Sequence, residues 1–514
     1  MTNDEFDYDL VVVGGGPAGS TVATLVAMQG HRVLLLERET FPRYQIGESL
    51  LPSTVHGVCR LTGVADELAR AGFPVKRGGT FRWGRNPEPW TFAFAISPRF
   101  ASDGATAYQV ERMKFDQILL DNARRKGVTV RERCAVVDVL EQGERVCGVR
   151  FDDEDGVRRE LRSRYVVDAS GHRSRIHHRI GGARHYSDFF RNLALFGYFE
   201  GGKRLPEPNS GNILAVAFPS GWFWYIPLGD SLTSVGAVLR PEALDRVREG
   251  DRETVLRQLV SECPLIAEYL AEATRVTDGP YGEVRVRKDY SYIHDTFTRP
   301  GMLLVGDAAC FIDPVFSSGV HLATFSALLA ARSINSCLAA ELDEPSVLQE
   351  FEARYRREYA LFHDFLVAFY DTHQDEDSYF WTAKRLNDDG VASAVQAFVR
   401  LVGGGGSGEG ALLDPDGYLR ERREAFQELT DVVQSPVAVP GEDRDLLGAA
   451  LLKDVLKEGV RMQTQAALGG NVDDQRPIRP GGLVPSADGM RWRRPEPSAT
   501  AGAPAPREAG HDAR

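Results

Sequence analysis

Two short apolar runs joined by a glycine-rich turn and a helix constrain the fold of this chain more than any other feature. Residues 8–13 form an apolar run that ends at glycines, residues 17–28 have the pattern of a helix, and residues 32–37 form a second apolar run. This order predicts a βαβ unit. Apolar runs at 165–171 and 301–307 also end in glycine turns. We expect them to extend the same parallel sheet.

The turn after the first strand has the GxGxxG spacing, formed by Gly14, Gly16 and Gly19, with Ala18 between the last two. Glycines at these positions permit a tight turn and a close approach of the backbone to a ligand. The N-terminus of the following helix offers free N–H groups to a pyrophosphate. Glu37 ends the second strand, where an acidic side chain can bind the hydroxyls of an adenosine ribose. These residues predict a dinucleotide site.

Three further segments favour FAD over NAD as the dinucleotide. Asp307 follows an apolar strand and a glycine, as in FAD proteins in which the aspartate accepts a hydrogen bond from a ribityl hydroxyl. Residues 167–171 and 110–116 resemble two other signatures of FAD-dependent aromatic hydroxylases, and the second of them places Arg112 near the pyrophosphate. We therefore expect an α/β, single-Rossmann FAD-binding fold of the aromatic-hydroxylase type.

The pattern of the remaining chain changes several times. Apolar and polar positions alternate in the middle, helical spacing follows, and the end is rich in Pro, Gly, Ala and Arg. We expect an FAD-binding domain over 1–175 with 300–340, an antiparallel-sheet substrate domain over 176–299, a helical segment over 341–402, a Gly-rich linker over 403–410, a C-terminal helical segment over 411–468 and a disordered tail over 469–514.

Charge and cysteine usage exclude several classes of function. The net charge is −12, from 73 acidic and 61 basic residues, and the basic residues do not cluster as a nucleic-acid surface requires. The six cysteines are scattered, which predicts neither a disulfide framework nor a structural metal. The acidic N-terminus and the lack of a long apolar run predict a cytoplasmic protein without a membrane span.

The segment Trp222-Phe223-Trp224-Tyr225-Ile226-Pro227 matches the WxWxIP signature of the flavin-dependent halogenases. A buried aromatic strand is the usual meaning of such a run, but here all four signature residues occur in a flavin-binding context. The chain thus resembles this family over about residues 1–400. The resemblance implies that Trp222, Trp224, Ile226 and Pro227 shield the flavin from the organic substrate.

Lys76 occupies the position of the family's catalytic lysine, downstream of Gly47-Glu48-Ser49, which resembles the family's flavin-covering loop. Most lysines are solvated surface cations. The resemblance instead implies a desolvated amine that either donates a hydrogen bond to hypochlorous acid or is chlorinated to a chloramine.

The segment 313–319 resembles the family's chloride loop, in which Ser318 and Gly319 would offer backbone N–H groups to the halide. Tryptophan halogenases carry a glutamate where this chain has Phe316, a difference that favours a phenol over an indole as the substrate. His321 is either a proton carrier or a structural histidine.

The resemblance implies a halogenase of natural-product, including antibiotic, biosynthesis. It would use FADH2 from a separate flavin reductase, O2 and chloride to make hypochlorous acid, and would chlorinate a phenolic, tyrosine-derived substrate. That substrate would be free or bound to a peptidyl carrier protein. Two alternatives stay open from the residues: an NAD(P)H-dependent FAD aromatic hydroxylase on the same fold, and a catalytically idle flavin-binding scaffold.

Overall fold

The computed structural model describes residues 6–84, 88–97, 105–288, 291–370, 394–406 and 477–495. Its strands, in chain order, are β1 Tyr8–Val13, β2 Val33–Leu36, β3 Val75–Lys76, β4 Gly78–Arg82, β5 Trp90–Ala93, β6 Ala107–Tyr108, β7 Thr129–Arg131, β8 Ala135–Gln142, β9 Arg145–Asp152, β10 Arg158–Asp168, β11 Arg184–Tyr186, β12 Leu193–Glu200, β13 Ile213–Phe218, β14 Gly221–Pro227, β15 Leu232–Leu239, β16 Thr274–Arg275, β17 Arg285–Lys288, β18 Tyr292–His294, β19 Thr298–Arg299, β20 Met302–Leu304, β21 Cys310–Phe311, β22 Val484–Pro485 and β23 Trp492–Arg493.

The α-helices are α1 Pro17–Ala27, α2 Cys59–Leu61, α3 Ala65–Arg70, α4 Arg112–Arg125, α5 Asp245–Glu249, α6 Arg252–Ser261, α7 Pro264–Tyr269, α8 Ser318–Leu338, α9 Glu344–Phe369 and α10 Ala394–Val402. A π-helical turn spans Ser53–Val58, and short 3-10 turns include Phe94–Ile96, Gly306–Ala308 and Pro314–Phe316. Among the described helices, none combines the length and the apolar character needed to cross a bilayer.

The first sheet confirms the predicted nucleotide-binding unit. Its strand order is β19-β20-β10-β1-β2-β7, and β20, β10, β1, β2 and β7 pair in parallel. β2 is buried throughout, as is β1 after its first residue, which is expected of parallel strands covered on both faces. Helix α1 packs against α8 on this sheet. The α/β class predicted from the apolar runs is therefore confirmed.

The second sheet is largely antiparallel, as predicted for the middle of the chain, but it draws strands from outside that region. Its order is β16-β12-β15-β14-β13-β4-β5, with β17 also paired to β12. β4 and β5 lie within the range 1–175 that was assigned to the FAD-binding domain, and β4 pairs in parallel with β13. The predicted boundary is wrong here because local pattern identifies a strand but does not identify the distant strand with which it pairs.

Helices α8, α9 and α10 lie in the region of helical spacing. Nearly all of α8 is buried, since it packs against α1 on one side and against α9 on the other. The glycines 403–405, at the start of the predicted linker, are buried after α10, and the N–H of Ser53 donates to the carbonyl of Gly403 at 3.3 Å. This part of the linker is packed structure. The predicted helical segment 411–468 lies outside the described residues.

The prediction of a disordered tail is wrong for residues 477–495. Trp492 is buried between the guanidinium groups of Arg332 and Arg354, which lie 4.6 and 4.9 Å from the centroid of its ring. Its indole N–H donates to Ser333 Oγ at 2.9 Å. A segment with few apolar residues cannot form a core of its own. This one is ordered because α8 and α9 supply the surface on which it packs.

Candidate active site

A cavity of about 640 Å³ lies between the glycine-rich turn, the segment 43–49 and the second sheet. This volume is in the range of cofactor sites. Most of the binding residues predicted from sequence line it: Gly14, Gly16, Ala18, Glu37, Arg112, Trp222, Trp224, Ile226, Asp307 and Gly319. Gly19, Lys76, Pro227 and Ser318 do not.

The glycine-rich turn fits a bound pyrophosphate. The N–H of Gly15 donates to Glu37 Oε2 at 2.7 Å, so the carboxylate is fixed beside the turn. A Cβ atom on Gly19 would lie 1.8 Å from the carbonyl oxygen of Gly14, whereas one on Gly16 would meet only the flexible end of Arg43, at 3.2 Å. Gly19 is thus needed for the packing of the turn, and Gly16 faces the open cavity. The N-terminus of α1 has no side-chain cap, which leaves its N–H groups free for an anion.

Arg112 and Asp307 line the cavity beyond this turn. The Arg112 guanidinium forms a two-point ion pair with Asp116, at 2.7 and 2.9 Å, and donates to the carbonyl of Ile46 at 2.6 Å. Arg112 therefore holds the segment 43–49 in place through Ile46. Burial raises the pKa of Asp307, and the positive charges of Arg287, Arg112 and Arg184 oppose that rise. Apart from Gly19, the FAD-binding residues inferred from sequence thus line one cavity, and their donors and acceptors suit an FAD molecule.

The WxWxIP strand is β14. Trp222, Trp224 and Ile226 line the cavity, and Pro227 ends the strand outside it. The indole N–H of Trp222 donates to the Tyr370 hydroxyl at 2.7 Å, and that of Trp224 donates to Ser234 Oγ at 3.1 Å. Both rings are therefore held in a fixed orientation as an apolar wall.

Lys76 is only 3% exposed, and its partners are neutral. Its Nζ donates to Ser49 Oγ at 2.8 Å and to the carbonyl of Leu50 at 3.0 Å, and it lies 3.5 Å from Ser317 Oγ. No carboxylate of the described residues forms an ion pair with it. Burial lowers the pKa of Lys76 to about 7, because an apolar environment disfavours the charged ammonium.

The predicted chloride loop lies at the start of α8. Gly319 lines the cavity, and the buried Ser318 Oγ has no hydrogen-bond partner among the residues with described positions. Ser317, which sequence reasoning did not single out, adopts the left-handed conformation with φ 61°. This residue lines the cavity and also approaches Lys76. A left-handed serine is uncommon, and local sequence carries no signal for it.

Glu48 was also missed as a site residue. It is buried on the cavity wall, and its Oε1 accepts from the Tyr198 hydroxyl at 2.7 Å, which in turn lies 2.7 Å from the Tyr44 hydroxyl. Burial raises the pKa of Glu48 to about 7. The position of Glu48 in the stretch Gly47-Glu48-Ser49 is the one sequence feature that could have marked it as a site residue. Its contact with Tyr198 depends on the fold and cannot be read from the sequence.

The side chains of His321 and Phe316 are both buried and packed against other residues. His321 is buried, with Nε2 2.7 Å from Glu358 Oε1 and Nδ1 2.9 Å from Ser53 Oγ, so both ring nitrogens have partners. Phe316 is buried against the rings of Phe365 and Phe369, with centroids 5.2 and 4.6 Å away.

Comparison with known proteins identifies the family of this chain. The sequence profile of the tryptophan halogenase family matches residues 9–103 and 98–429. Tryptophan 2-halogenase of Chondromyces crocatus is 35% identical over 398 residues, which are 76% of this chain and 74% of that protein. Flavin-dependent halogenase armH4 of Armillaria mellea is 33% identical over 388 residues, 72% of each chain.

Solved structures give the same result. The myxobacterial chondrochloren halogenase CndH, a variant of the FAD-dependent halogenases, is 50% identical and has a TM-score of 0.72, covering 95% of this chain and 99% of its own. The flavin-dependent halogenase CmlS is 28% identical with a TM-score of 0.68, covering 94% of this chain and 83% of its own.

These matches confirm the family predicted from the WxWxIP strand and decide against the hydroxylase and the idle scaffold. Members of the family use reduced FAD, O2 and chloride, and they generally need a separate flavin reductase. The chain belongs to the flavin-dependent halogenases.

Proposed function

We propose that this halogenase chlorinates a phenolic, tyrosine-derived ring ortho to its hydroxyl, and that Lys76 directs the chlorine. Reduced FAD, when bound, supplies two of the four electrons that reduce O2, and chloride supplies the other two, so that FADH2, O2, chloride and a proton give FAD, hypochlorous acid and water. The protein must then bring hypochlorous acid to the ring without releasing it.

Ser49 and Ser317 support a route from the cavity to Lys76. Both residues line the cavity, and both hydroxyls lie within 3.5 Å of Nζ. As an ammonium, Lys76 would donate a hydrogen bond to hypochlorous acid and increase the electrophilicity of its chlorine. As an amine, it would form an N–Cl bond and release water, then pass the chlorine to the ring carbon and recover its proton. Because the pKa of Lys76 is about 7, both forms exist near neutral pH.

The observation that carries the choice of a phenol is that, among the described residues, no carboxylate forms an ion pair or a hydrogen bond with Lys76. Phe316 precedes Ser317 in the chain and is packed among phenylalanine rings, and Lys76 itself contacts only neutral groups. An indole carbon that needs a nearby base would receive no help there. A phenol is activated by its own hydroxyl and loses the ring proton readily after attack.

Tryptophan is the second candidate substrate, because one relative with 35% identity is a tryptophan 2-halogenase. The resemblance to halogenases that act on tethered substrates extends the first proposal to a tyrosine-derived group bound as a thioester to a peptidyl carrier protein. The free and the tethered phenol are separate arms of one assay.

The test is a single-turnover reaction. The enzyme is loaded with FADH2 without oxygen, then mixed with O2, chloride and one of three substrates: a free tyrosine analogue, the same group on a carrier protein, or tryptophan. Mass spectrometry should detect a monochlorinated phenol from the carrier-bound substrate. Chlorination of the free phenol alone would remove the carrier from the proposal. Efficient chlorination of tryptophan would overturn the choice of a phenol.

A further inference from the structure

The carboxyl group of Glu48 has one satisfied oxygen and one that lacks a partner. Its Oε1 accepts from the Tyr198 hydroxyl at 2.7 Å, whereas its Oε2 has no hydrogen-bond partner of acceptable geometry among the described residues. The side chain is only 2% exposed, and it lines the flavin-sized cavity. Because a buried carboxylate oxygen without a donor is costly and a protonated carboxyl is neutral, this arrangement favours a proton on Oε2.

The second sheet places this carboxyl beside the tryptophan wall. Tyr198 and Ser234 lie opposite each other on β12 and β15. The Ser234 hydroxyl accepts from the indole N–H of Trp224 at 3.1 Å, and together with Tyr198 it opposes the rise that burial causes in the pKa of Glu48. The carboxyl is therefore close to the indole rings that form the apolar wall of the cavity.

A second tyrosine continues the chain of hydroxyls away from Glu48. The Tyr44 hydroxyl lies 2.7 Å from that of Tyr198, and because Tyr198 donates to Glu48, Tyr44 is the donor in this pair. Arg285 lies 3.9 Å from the centre of the Tyr44 ring, and it and Arg287 oppose the rise that burial causes in the pKa of Tyr44. Tyr198 is fully buried, whereas Tyr44 is partly exposed. One directed chain of hydrogen bonds thus leads from a partly exposed hydroxyl to the buried carboxyl.

The groups that face Glu48 do not hold it in one ionisation state. Arg112 lowers its pKa and Glu111 raises it, and the guanidinium of Arg112 already pairs with Asp116. Burial has the largest effect and raises the pKa of Glu48 to about 7. The other groups around the carboxyl are neutral hydroxyls, those of Tyr44, Tyr198, Ser234 and Tyr281. Glu48 can therefore both hold and release a proton near neutral pH.

We propose that Glu48 donates the proton that the formation of hypochlorous acid consumes, and that Tyr198 and Tyr44 return a proton to it. This inference rests on the proposed formation of hypochlorous acid but not on the identity of the halogenated ring. The O–H bond of Glu48 breaks as an O–H bond of the released water forms. Tyr198 then gives its proton to the carboxylate and takes one from Tyr44, which takes one from solvent. A turn of the carboxyl group exchanges its two oxygens and restores the starting state.

Hydrogen peroxide provides the readout, because its formation needs no added proton. FADH2 and O2 together give FAD and H2O2, whereas FADH2, O2 and chloride need one proton more to give FAD, hypochlorous acid and water. Chloride should therefore lower the yield of H2O2 per O2 in the wild type. An enzyme without the proton donor should still consume O2, but it should release H2O2 whether or not chloride is present.

The first experiment loads the enzyme with FADH2 without oxygen, adds O2 with chloride or with nitrate, and measures O2 uptake and H2O2. In Glu48→Gln the formation of hypochlorous acid should slow by about 100-fold, at the lower end of what a general acid contributes, so the chloride effect should disappear. Glu48→Asp keeps a carboxyl group and should recover part of the effect. With FADH2 supplied repeatedly, Tyr198→Phe and Tyr44→Phe should show the effect in the first turnover and lose most of it later.

The second experiment measures the proton on Glu48 in the apoprotein, without flavin or substrate. Infrared difference spectra between the wild type and Glu48→Gln should contain the C=O band of a protonated carboxyl, which should disappear as the pH rises through about 7. In Tyr198→Phe this band should persist to higher pH, because the Tyr198 hydrogen bond lowers the pKa of Glu48. A purely structural role for Tyr198 predicts no such shift.

Tyr225→Phe is the matched control. Tyr225 is a buried tyrosine of the same sheet, but its hydroxyl donates to the carbonyl of Lys203 at 2.8 Å, and it does not line the cavity. This variant should resemble the wild type in both experiments, and the melting temperatures of the apoproteins report on folding.

A wild-type chloride effect in folded Glu48→Gln would overturn the proposal. If that variant does not fold, an unshifted carboxyl band and a persistent chloride effect in Tyr198→Phe would overturn it instead. Absence of a chloride effect in the wild type would contradict the formation of hypochlorous acid, and with it the role of Glu48. Neither experiment uses a phenol, so failure to chlorinate a phenol is a separate result that concerns only the choice of substrate.

Discussion

The Nζ atom of Lys76 lies 3.5 Å from the hydroxyl of Ser317, and only the second of these residues lines the large cavity. The side chains of Ser317 and of Ser49, whose Oγ lies 2.8 Å from the same Nζ, therefore stand between the flavin-sized space and a buried amine. This arrangement would let the oxidant form on one side of the two serines while chlorine transfer takes place on the other.

Replacing Lys76 by methionine should separate oxidant formation from chlorination. Lys76→Met should fold, bind FAD and consume O2 with FADH2, because Lys76 does not line the cavity. Chlorinated product should fall by at least about 100-fold, since methionine has neither an N–H donor nor a nucleophilic nitrogen. The measurements are oxygen uptake and product mass in the same reaction.

Lys203→Met is the control for this experiment. Lys203 is an exposed lysine that pairs with Glu268, and its loss should leave chlorination unchanged. Chlorination by Lys76→Met at the level of this control would remove Lys76 from the reaction. A hydroxylated product in place of a chlorinated one would show that the oxidant reaches the ring by another route.

Gly16→Val should abolish saturable FAD binding while the apoprotein stays folded. The backbone at Gly16 has φ −70°, which any residue tolerates, and a new Cβ would meet only the end of Arg43. The added side chain would instead occupy the space through which a pyrophosphate approaches α1. Gly229→Val, at a site with no atom within 4 Å of the new Cβ, is the matched control. Equal flavin quenching by the two variants would contradict the assignment of this turn.

Much of the fold could be predicted because its main strands are local and apolar. β1 and β2 contain runs of consecutive valines or leucines, and β10 ends in the apolar stretch Tyr165-Val166-Val167. Parallel strands buried on both faces have this pattern. β4 could not be assigned to its sheet, because its partner β13 lies more than a hundred residues away. Pairing at that distance is decided by packing, which single-sequence patterns do not contain.

The site was predictable where chemistry demands a particular residue type. Gly14 and Glu37 follow from the needs of a dinucleotide, and the tryptophans of β14 follow from a family signature. Ser317 and Tyr198 could not be found in this way. Ser317 acts through an uncommon backbone conformation, and Tyr198 matters only because the second sheet brings it within 2.7 Å of Glu48.

Trp492→Ala should destabilise the protein by about 3–5 kcal/mol, the usual cost of removing a buried tryptophan. The ring fills the space between Arg332 and Arg354 and is hydrogen-bonded to Ser333. Trp492→Phe should cost less, because it retains most of the contacts. Urea denaturation followed by circular dichroism measures both. Unchanged midpoints for both variants would show that residues 477–495 do not contribute to the folded core.

The buried amine of Lys76 should also affect how stability depends on pH. Its pKa is about 7 in the folded protein and 10.5 ordinarily. Between these values the unfolded chain therefore binds the extra proton, and the free energy of unfolding rises with pH. The contribution of Lys76 to this slope should reach about 1.4 kcal/mol per pH unit in that window. The slope contribution should be zero below pH 7 and above pH 10.5, where the folded and unfolded chains bind the same number of protons at Lys76. Lys76→Met lacks the ionisable group, so its stability relative to the wild type should be greatest at pH 7 and should decrease towards pH 10. Urea denaturation at pH 7, 8.5 and 10 tests this, and parallel pH profiles for the two proteins would show that Lys76 remains charged in the folded state.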